Sequence, residues 1–72
     1  MTQFEKEQFG RNLRIERKAV NYKQEVLANL LGVTRECVTM WETGKRTPDI
    51  VTVARICRIL KIDIMDLISD IV

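Results

Sequence analysis

The sequence predicts an all-α chain folded as one compact domain of five helices, and three observations carry that prediction. Apolar residues recur three or four positions apart through most of the chain, as one face of a helix requires. One proline and three glycines in 72 residues are too few for a strand-and-turn architecture or a disordered tail. Thr34, Asp49 and Asp63, residue types suited to capping helices, each stand just ahead of a periodic segment.

The first helix is expected over about Gln3 to Lys18, with Phe4, Phe9, Leu13 and Ile15 supplying its apolar side. Phe9 and Leu13, four apart, share a face. The second covers Gln24 to Leu31, with Leu27, Leu30 and Leu31 as core candidates. Gly32 stands where a helix C-terminus favours a left-handed residue, a conformation glycine adopts without a Cβ clash. Thr34 caps a third helix over Arg35 to Glu42, in which Val38 and Trp41 turn inward and leave Arg35, Glu36, Thr39 and Met40 on the other sides. Thr43 to Pro48 reads as a turn region. Asp49 caps a fourth helix over Ile50 to Leu60, striped by Val53, Ile56, Cys57 and Leu60. Asp63 caps a last helix over Ile64 to Asp70, and Asp66 three residues later makes a capping-box-like pair with it. No repeat, low-complexity run or linker interrupts residues 1–72, which are therefore expected to form a single domain.

Two short helices around a glycine-containing turn, residues 24–42, make a helix-turn-helix, a unit whose second helix enters the DNA major groove. The charge pattern agrees. The net charge is only +2, but residues 11–23 hold Arg11, Arg14, Arg17, Lys18 and Lys23 against Glu16 alone. Residues 47–72 set Arg55, Arg58 and Lys61 against Asp49, Asp63, Asp66 and Asp70. A basic front and a slightly acidic back suit a protein that meets phosphates on one face, although charge alone also describes a solvated helix surface. A domain of this size buries only about 60% of its unfolded surface, so its core must be dense. Cys37 and Cys57 lack the paired spacing of a metal knuckle and are expected as reduced thiols, one disulfide being the alternative. The polar stretch Met1 to Glu7 is unlike a signal peptide, and no apolar run approaches the roughly 20 residues that cross a bilayer, so a cytoplasmic location is expected.

The ordered set of residues resembles the lambda-repressor-like helix-turn-helix family, also called the XRE or Cro type, over most of the chain. Gly10, Leu13 and Arg17 match in the first helix, Gln24-Glu25 and Leu27-Ala28 in the second, and Gly32-Val33-Thr34 at the turn. Val38, Trp41-Glu42, Gly44-Lys45-Arg46, Pro48, Leu60 and Asp63 complete the pattern. The resemblance implies a five-helix bundle and a bacterial or phage transcription regulator. It implies that Gln24 contacts a DNA phosphate, and that Arg17 pairs with Glu42 while remaining available to phosphate. Two departures stand out. Lys23 replaces the usual Thr or Asn cap of the second helix, and Glu16 replaces a common apolar residue, leaving either a slightly rotated first helix or an exposed Ile15.

On this frame Arg35, Glu36, Thr39 and Met40 are the expected base readers. Arginine donates twice to guanine O6 and N7, glutamate accepts from cytosine N4, and a methionine methyl meets a thymine methyl. Thr34, Thr43, Lys45 and Arg46 join Gln24 and Arg17 as expected phosphate contacts. Ala28 lies where the second helix approaches the third, and a larger side chain would separate them.

Ile62, Ile64, Met65, Leu67, Ile68, Ile71 and Val72 exceed what one side of a short helix can bury. Two readings follow. Residues 64–72 form a dimerisation helix, with Ile64, Leu67, Ile68 and Ile71 at a symmetric homodimer interface reading a palindromic operator; or they complete a small core. Enzyme function is disfavoured, because the chain has no histidine, P-loop or dinucleotide-binding glycine loop. No cofactor, metal or small-molecule ligand is implied. The competing class is an antitoxin-type interaction module that neutralises a protein partner and autoregulates its own genes.

Overall fold

The computed structural model describes residues 1–72 as five helices: α1 (Gln3–Ala19), α2 (Gln24–Leu31), α3 (Arg35–Glu42), α4 (Ile50–Leu60) and α5 (Met65–Ile68). The molecule measures 28 × 22 × 21 Å, and no helix is long and apolar enough to cross a membrane.

Local chemistry sets most of the helix ends. Thr2 opens α1 with a full capping box: its hydroxyl accepts from the Glu5 N–H at 3.1 Å, and the Glu5 carboxylate accepts from the Thr2 N–H at 2.8 Å. Thr34 caps α3 by accepting from the Cys37 N–H at 3.2 Å, and Asp49 caps α4 by accepting from the Thr52 N–H at 2.8 Å. Hydrogen bonds from the Thr52 backbone and side chain hold the Asp49 carboxyl below its ordinary value of 3.8. Gly32 ends α2 at φ +72°, in the left-handed region, while α4 ends on Lys61 at φ +57°, where a side chain carries some strain. Lys23 gives α2 no side-chain cap, as its departure from the family pattern suggests.

The core gathers Phe9, Leu13, Leu27, Ala28, Leu31, Val38, Trp41, Val53, Ile56, Leu60 and Leu67. Phe4 and Leu30, expected inside, lie outside, and Ile15 takes the exposed one of its two expected positions. Phe4 and Ile15 are exposed because the inward arc of α1 is taken by Phe9, Gly10, Asn12, Leu13 and Arg17; α1 keeps its register and Ile15 faces water. Leu30 is about half exposed, since Leu27, Ala28 and Leu31 already fill the buried side of the short α2.

The last helix is shorter than expected. Only half of the expected Asp63–Asp66 pair forms: the Asp63 N–H donates to the Asp66 carboxylate at 2.9 Å, but the Asp63 carboxylate accepts from the Met65 N–H, also at 2.9 Å, and α5 spans only Met65–Ile68, with Ile64 and not Asp63 at its N-cap. Asn12, buried in α1, ties this end down by donating from Nδ2 to the Leu67 carbonyl and to Asp70 Oδ1, both at 2.8 Å. Leu67 is completely buried within the single chain, so it belongs to the core and not to a dimer interface. Ile68 and Ile71 pack partly against that core as well, leaving Ile64 and Met65 as the more exposed members of the segment. Cys37 and Cys57 are free thiols, and burial together with the nearby Asp63 and Asp66 carboxylates pushes the Cys57 thiol up.

Candidate nucleic-acid interface

The helix α3 is held from behind by α1. Gly10 lies so close to the α3 C-terminus that an added Cβ would stand 2.4 Å from the Trp41 carbonyl oxygen and 2.5 Å from that of Glu42. Only a residue without a Cβ lets the two backbones approach this far. About two α1 turns earlier, Gln3 donates from Nε2 to the Gly44 carbonyl at 3.1 Å, and Gly44 turns the chain at φ +79° with its open side against Glu7.

At the other end of α1, Arg17 and Glu42 meet in the interior. Arg17 Nε donates to Glu42 Oε2 at 2.7 Å and Nη2 to Oε1 at 3.0 Å, a forked pair with side chains only 7% and 3% exposed. Arg17 Nη1 donates to the Tyr22 carbonyl at 2.6 Å. The Arg17–Glu42 pair implied by the resemblance is thus formed, and the Arg17 guanidinium, 7% exposed, is largely committed to partners inside the protein. Its work is structural, joining α1 and the α1–α2 turn to the end of α3.

Gln24, half-buried at the start of α2, extends this cluster to the surface. Its Nε2 donates to Glu42 Oε1 at 3.0 Å. Its Oε1 accepts from the Thr39 hydroxyl at 3.0 Å and, more loosely, from Arg35 Nε at 3.5 Å. A carboxylate only accepts, so the amide must present nitrogen to Glu42 and oxygen to α3.

The outward side of α3 is an open depression lined by Thr34, Arg35, Glu36, Thr39, Met40 and Lys45, five polar or charged residues whose aliphatic stems and methyls, with Met40, also contribute surface. All four expected base readers therefore share one surface, with Thr34 and Lys45 at its margins; Met40 is half-buried and the other three are exposed. Val38 and Trp41, which face the opposite way, are in the core. A second, wholly polar recess beside it is lined by Arg17, Lys23, Gln24, Glu25 and Arg35. Lys23 thus joins the basic edge, a position the sequence offered only as one cation in the 11–23 run. Arg46 is exposed outside both depressions. The Thr43 hydroxyl donates to the Thr39 carbonyl at 2.9 Å, so its proton is engaged and only its lone pairs face outward.

A capped helix, buried on one side and carrying convergent polar groups on the other, braced by a second short helix across a glycine turn, defines a helix-turn-helix DNA-binding domain. The chain belongs to the helix-turn-helix family of XRE type: the family model described as Helix-turn-helix matches residues 13–67. Two uncharacterized HTH-type transcriptional regulators of Bacillus subtilis strain 168 are similar. The SPbeta prophage-derived YonR is 36% identical over 52 residues, 72% of this chain and 48% of its own length. YqaE is 38% identical over 56 residues, 78% of this chain and 48% of its own. The chain thus spans about half the length of these relatives. Among solved structures, the restriction-modification controller protein C.AhdI from Aeromonas hydrophila superposes with a TM-score of 0.79 at 34% identity, over 85% of this chain and 92% of that one. Cobalt-bound HppE in complex with substrate superposes with a TM-score of 0.80 at 32% identity, but over only 35% of the HppE chain, so the likeness is confined to about a third of that protein.

Proposed function

We propose that the chain is a sequence-specific double-stranded DNA-binding transcriptional regulator of repressor type, which inserts α3 into the major groove. The observation that carries this reading is the exposed face of Arg35, Glu36, Thr39 and Met40 on a helix whose other side is locked in the core. A helix about 10–12 Å across matches a major groove about 12 Å wide, and these side chains offer the donors, acceptors and methyl group that base edges distinguish. Lys45 and Arg46 in the loop, with Thr34, Gln24 and Lys23 at the α2–α3 edge, flank that face and are suited to phosphate. The relatives support the regulatory role, being HTH-type regulators and a controller protein. A cytoplasmic location follows from that role.

The operator is proposed to be palindromic and read by a homodimer, whose interface draws on the partly exposed Ile64 and Met65 with Ile68 and Ile71 behind them. Selection from random duplexes at two salt concentrations tests the reading. Enrichment of a palindrome with half-sites about 10 base pairs apart is expected, with affinity falling log-linearly in salt. Equal binding to selected and scrambled duplexes would remove it.

A further inference from the structure

We infer that Gln3, in the first turn of α1, is a positioning residue for the loop after α3: its amide fixes the peptide between Gly44 and Lys45 and so aims Lys45 and Arg46 at phosphate. That role rests on the proposed DNA binding of the loop.

The chain leaves α3 through a left-handed turn. The Gly44 N–H donates to the Trp41 carbonyl at 3.4 Å and the Lys45 N–H to that of Met40 at 3.0 Å. The hold of α3 on the loop is thinly shared. The Met40 carbonyl, with two lone pairs, faces the Lys45 N–H, the Arg46 N–H at 3.2 Å and the Thr43 hydroxyl at 3.4 Å. Gly44 adds no restraint of its own, since glycine reaches the conformations that would turn the next peptide over. Its carbonyl accepts from no backbone N–H, and its one protein donor is Gln3 Nε2 at 3.1 Å. The peptide before Lys45 is therefore held at both ends, its N–H by α3 and its oxygen by α1, and each bond strengthens the other. Gln3 is itself fixed. The Thr2 capping box sets the turn it stands in, and its amide also donates to Glu7 Oε2 at 3.2 Å. Glu7 closes the loop from the same side: a Cβ on Gly44 would stand 2.7 Å from Glu7 Cγ and 3.0 Å from its Cα, so Gly44 is buried beneath α1. Lys45 and Arg46, the next two residues, are exposed. Gln3 lines neither polar depression, so it acts through the loop it holds.

The test uses Gln3→Met, which keeps the length and helix propensity of the side chain and removes the amide. Affinity for the selected operator at low salt is measured for wild type and Gln3→Met, and again with Lys45→Ala and Arg46→Ala present in both; circular dichroism verifies each fold. Gln3→Met should weaken binding by about fivefold in the wild-type background, the size of one net hydrogen bond. It should have little effect once both cations are gone. No loss in the wild-type background, or an equal loss in both, overturns the inference. A second readout needs no DNA. In the free protein the Lys45 and Arg46 amides should exchange hydrogen faster in Gln3→Met, while the Cys37 and Thr52 amides, capped by Thr34 and Asp49, keep their rates. Unchanged Lys45 and Arg46 rates overturn the inference and leave the DNA-binding reading intact. A wild type that binds no duplex, with the amide rates as expected, removes that reading and the phosphate role with it, while the restraint of the loop by Gln3 stands.

Discussion

Arg17 and Glu42, 25 residues apart, form a forked ion pair at 2.7 and 3.0 Å that binds the first helix to the last residue of the third. Ion pairs this buried add little net stability relative to apolar residues, because desolvation offsets their attraction. Their loss on one side is costly, since it strands a charge. Arg17→Met should therefore destabilise the fold by about 3–5 kcal/mol, and the double change Arg17→Met with Glu42→Leu should recover much of that. Urea unfolding of the two singles and the double gives the coupling; additive effects would mean that the pair does not act as a unit.

Gly10 sets the distance between α1 and α3. Gly10→Ala places a methyl against two backbone carbonyls, neither of which is a movable side chain end. A loss of about 1–3 kcal/mol in unfolding free energy is expected, even though alanine is the better helix former. A stabilised variant would show that the approach is looser than described.

The two classes of proposed DNA contact should separate by titration. Arg35→Ala should cost about 1–3 kcal/mol of operator binding and relax preference at one base pair. Lys45→Ala and Arg46→Ala should weaken binding to every duplex alike, each lowering the salt slope by about one. If all three variants behave alike, α3 is not reading bases.

Asp49 makes the stability of α4 depend on pH. Its carboxyl is held down by the Thr52 hydrogen bonds, so its contribution is fully present above the ordinary value of 3.8 and is lost as pH falls through the lowered folded value. The difference in stability between wild type and Asp49→Asn should accordingly narrow on acidification, followed by thermal melts between neutral pH and strong acid. A difference that is constant across that range contradicts the assignment.

Leu67 and Met65, two residues apart, should report on different things. Leu67→Ala empties a fully buried site and should cost about 2–5 kcal/mol. Met65→Glu, at a position about half exposed, should leave the monomer stable and disrupt the proposed dimer, read by sedimentation across the micromolar range. Dimerisation undiminished in Met65→Glu would place the interface elsewhere.

The extents of α2, α3 and α4, the caps at Thr34 and Asp49, the left-handed Gly32 and the grouping of Arg35, Glu36, Thr39 and Met40 on one side of α3 were all legible in the chain. These depend on neighbours within four residues, where backbone hydrogen bonding and helical period decide the outcome. The Thr2–Glu5 capping box carried the same kind of signal. Composition and spacing could not decide among apolar residues on one helix. Phe4, Ile15 and Leu30 are as hydrophobic as Phe9, Leu13 and Leu27, and only the packing of α1 and α2 against their neighbours assigns which are buried. The same holds for Leu67, whose burial follows from Asn12 and Asp70 drawing the last turn onto α1. The pairing of Arg17 with Glu42 was implied by the family resemblance, but only the packing of α1 on α3 shows how far the forked bond withdraws Arg17 from the surface. Gln24 reads as a polar residue at a helix start, and only the meeting of three helices shows its amide fixed between a carboxylate and a hydroxyl. The sequence by itself determined the helices and the chemistry each presents, because those are short-range properties. Which groups remain free to meet a partner was decided by the tertiary structure, because a hydrogen-bonding atom is available outside only after its bonds inside have been made.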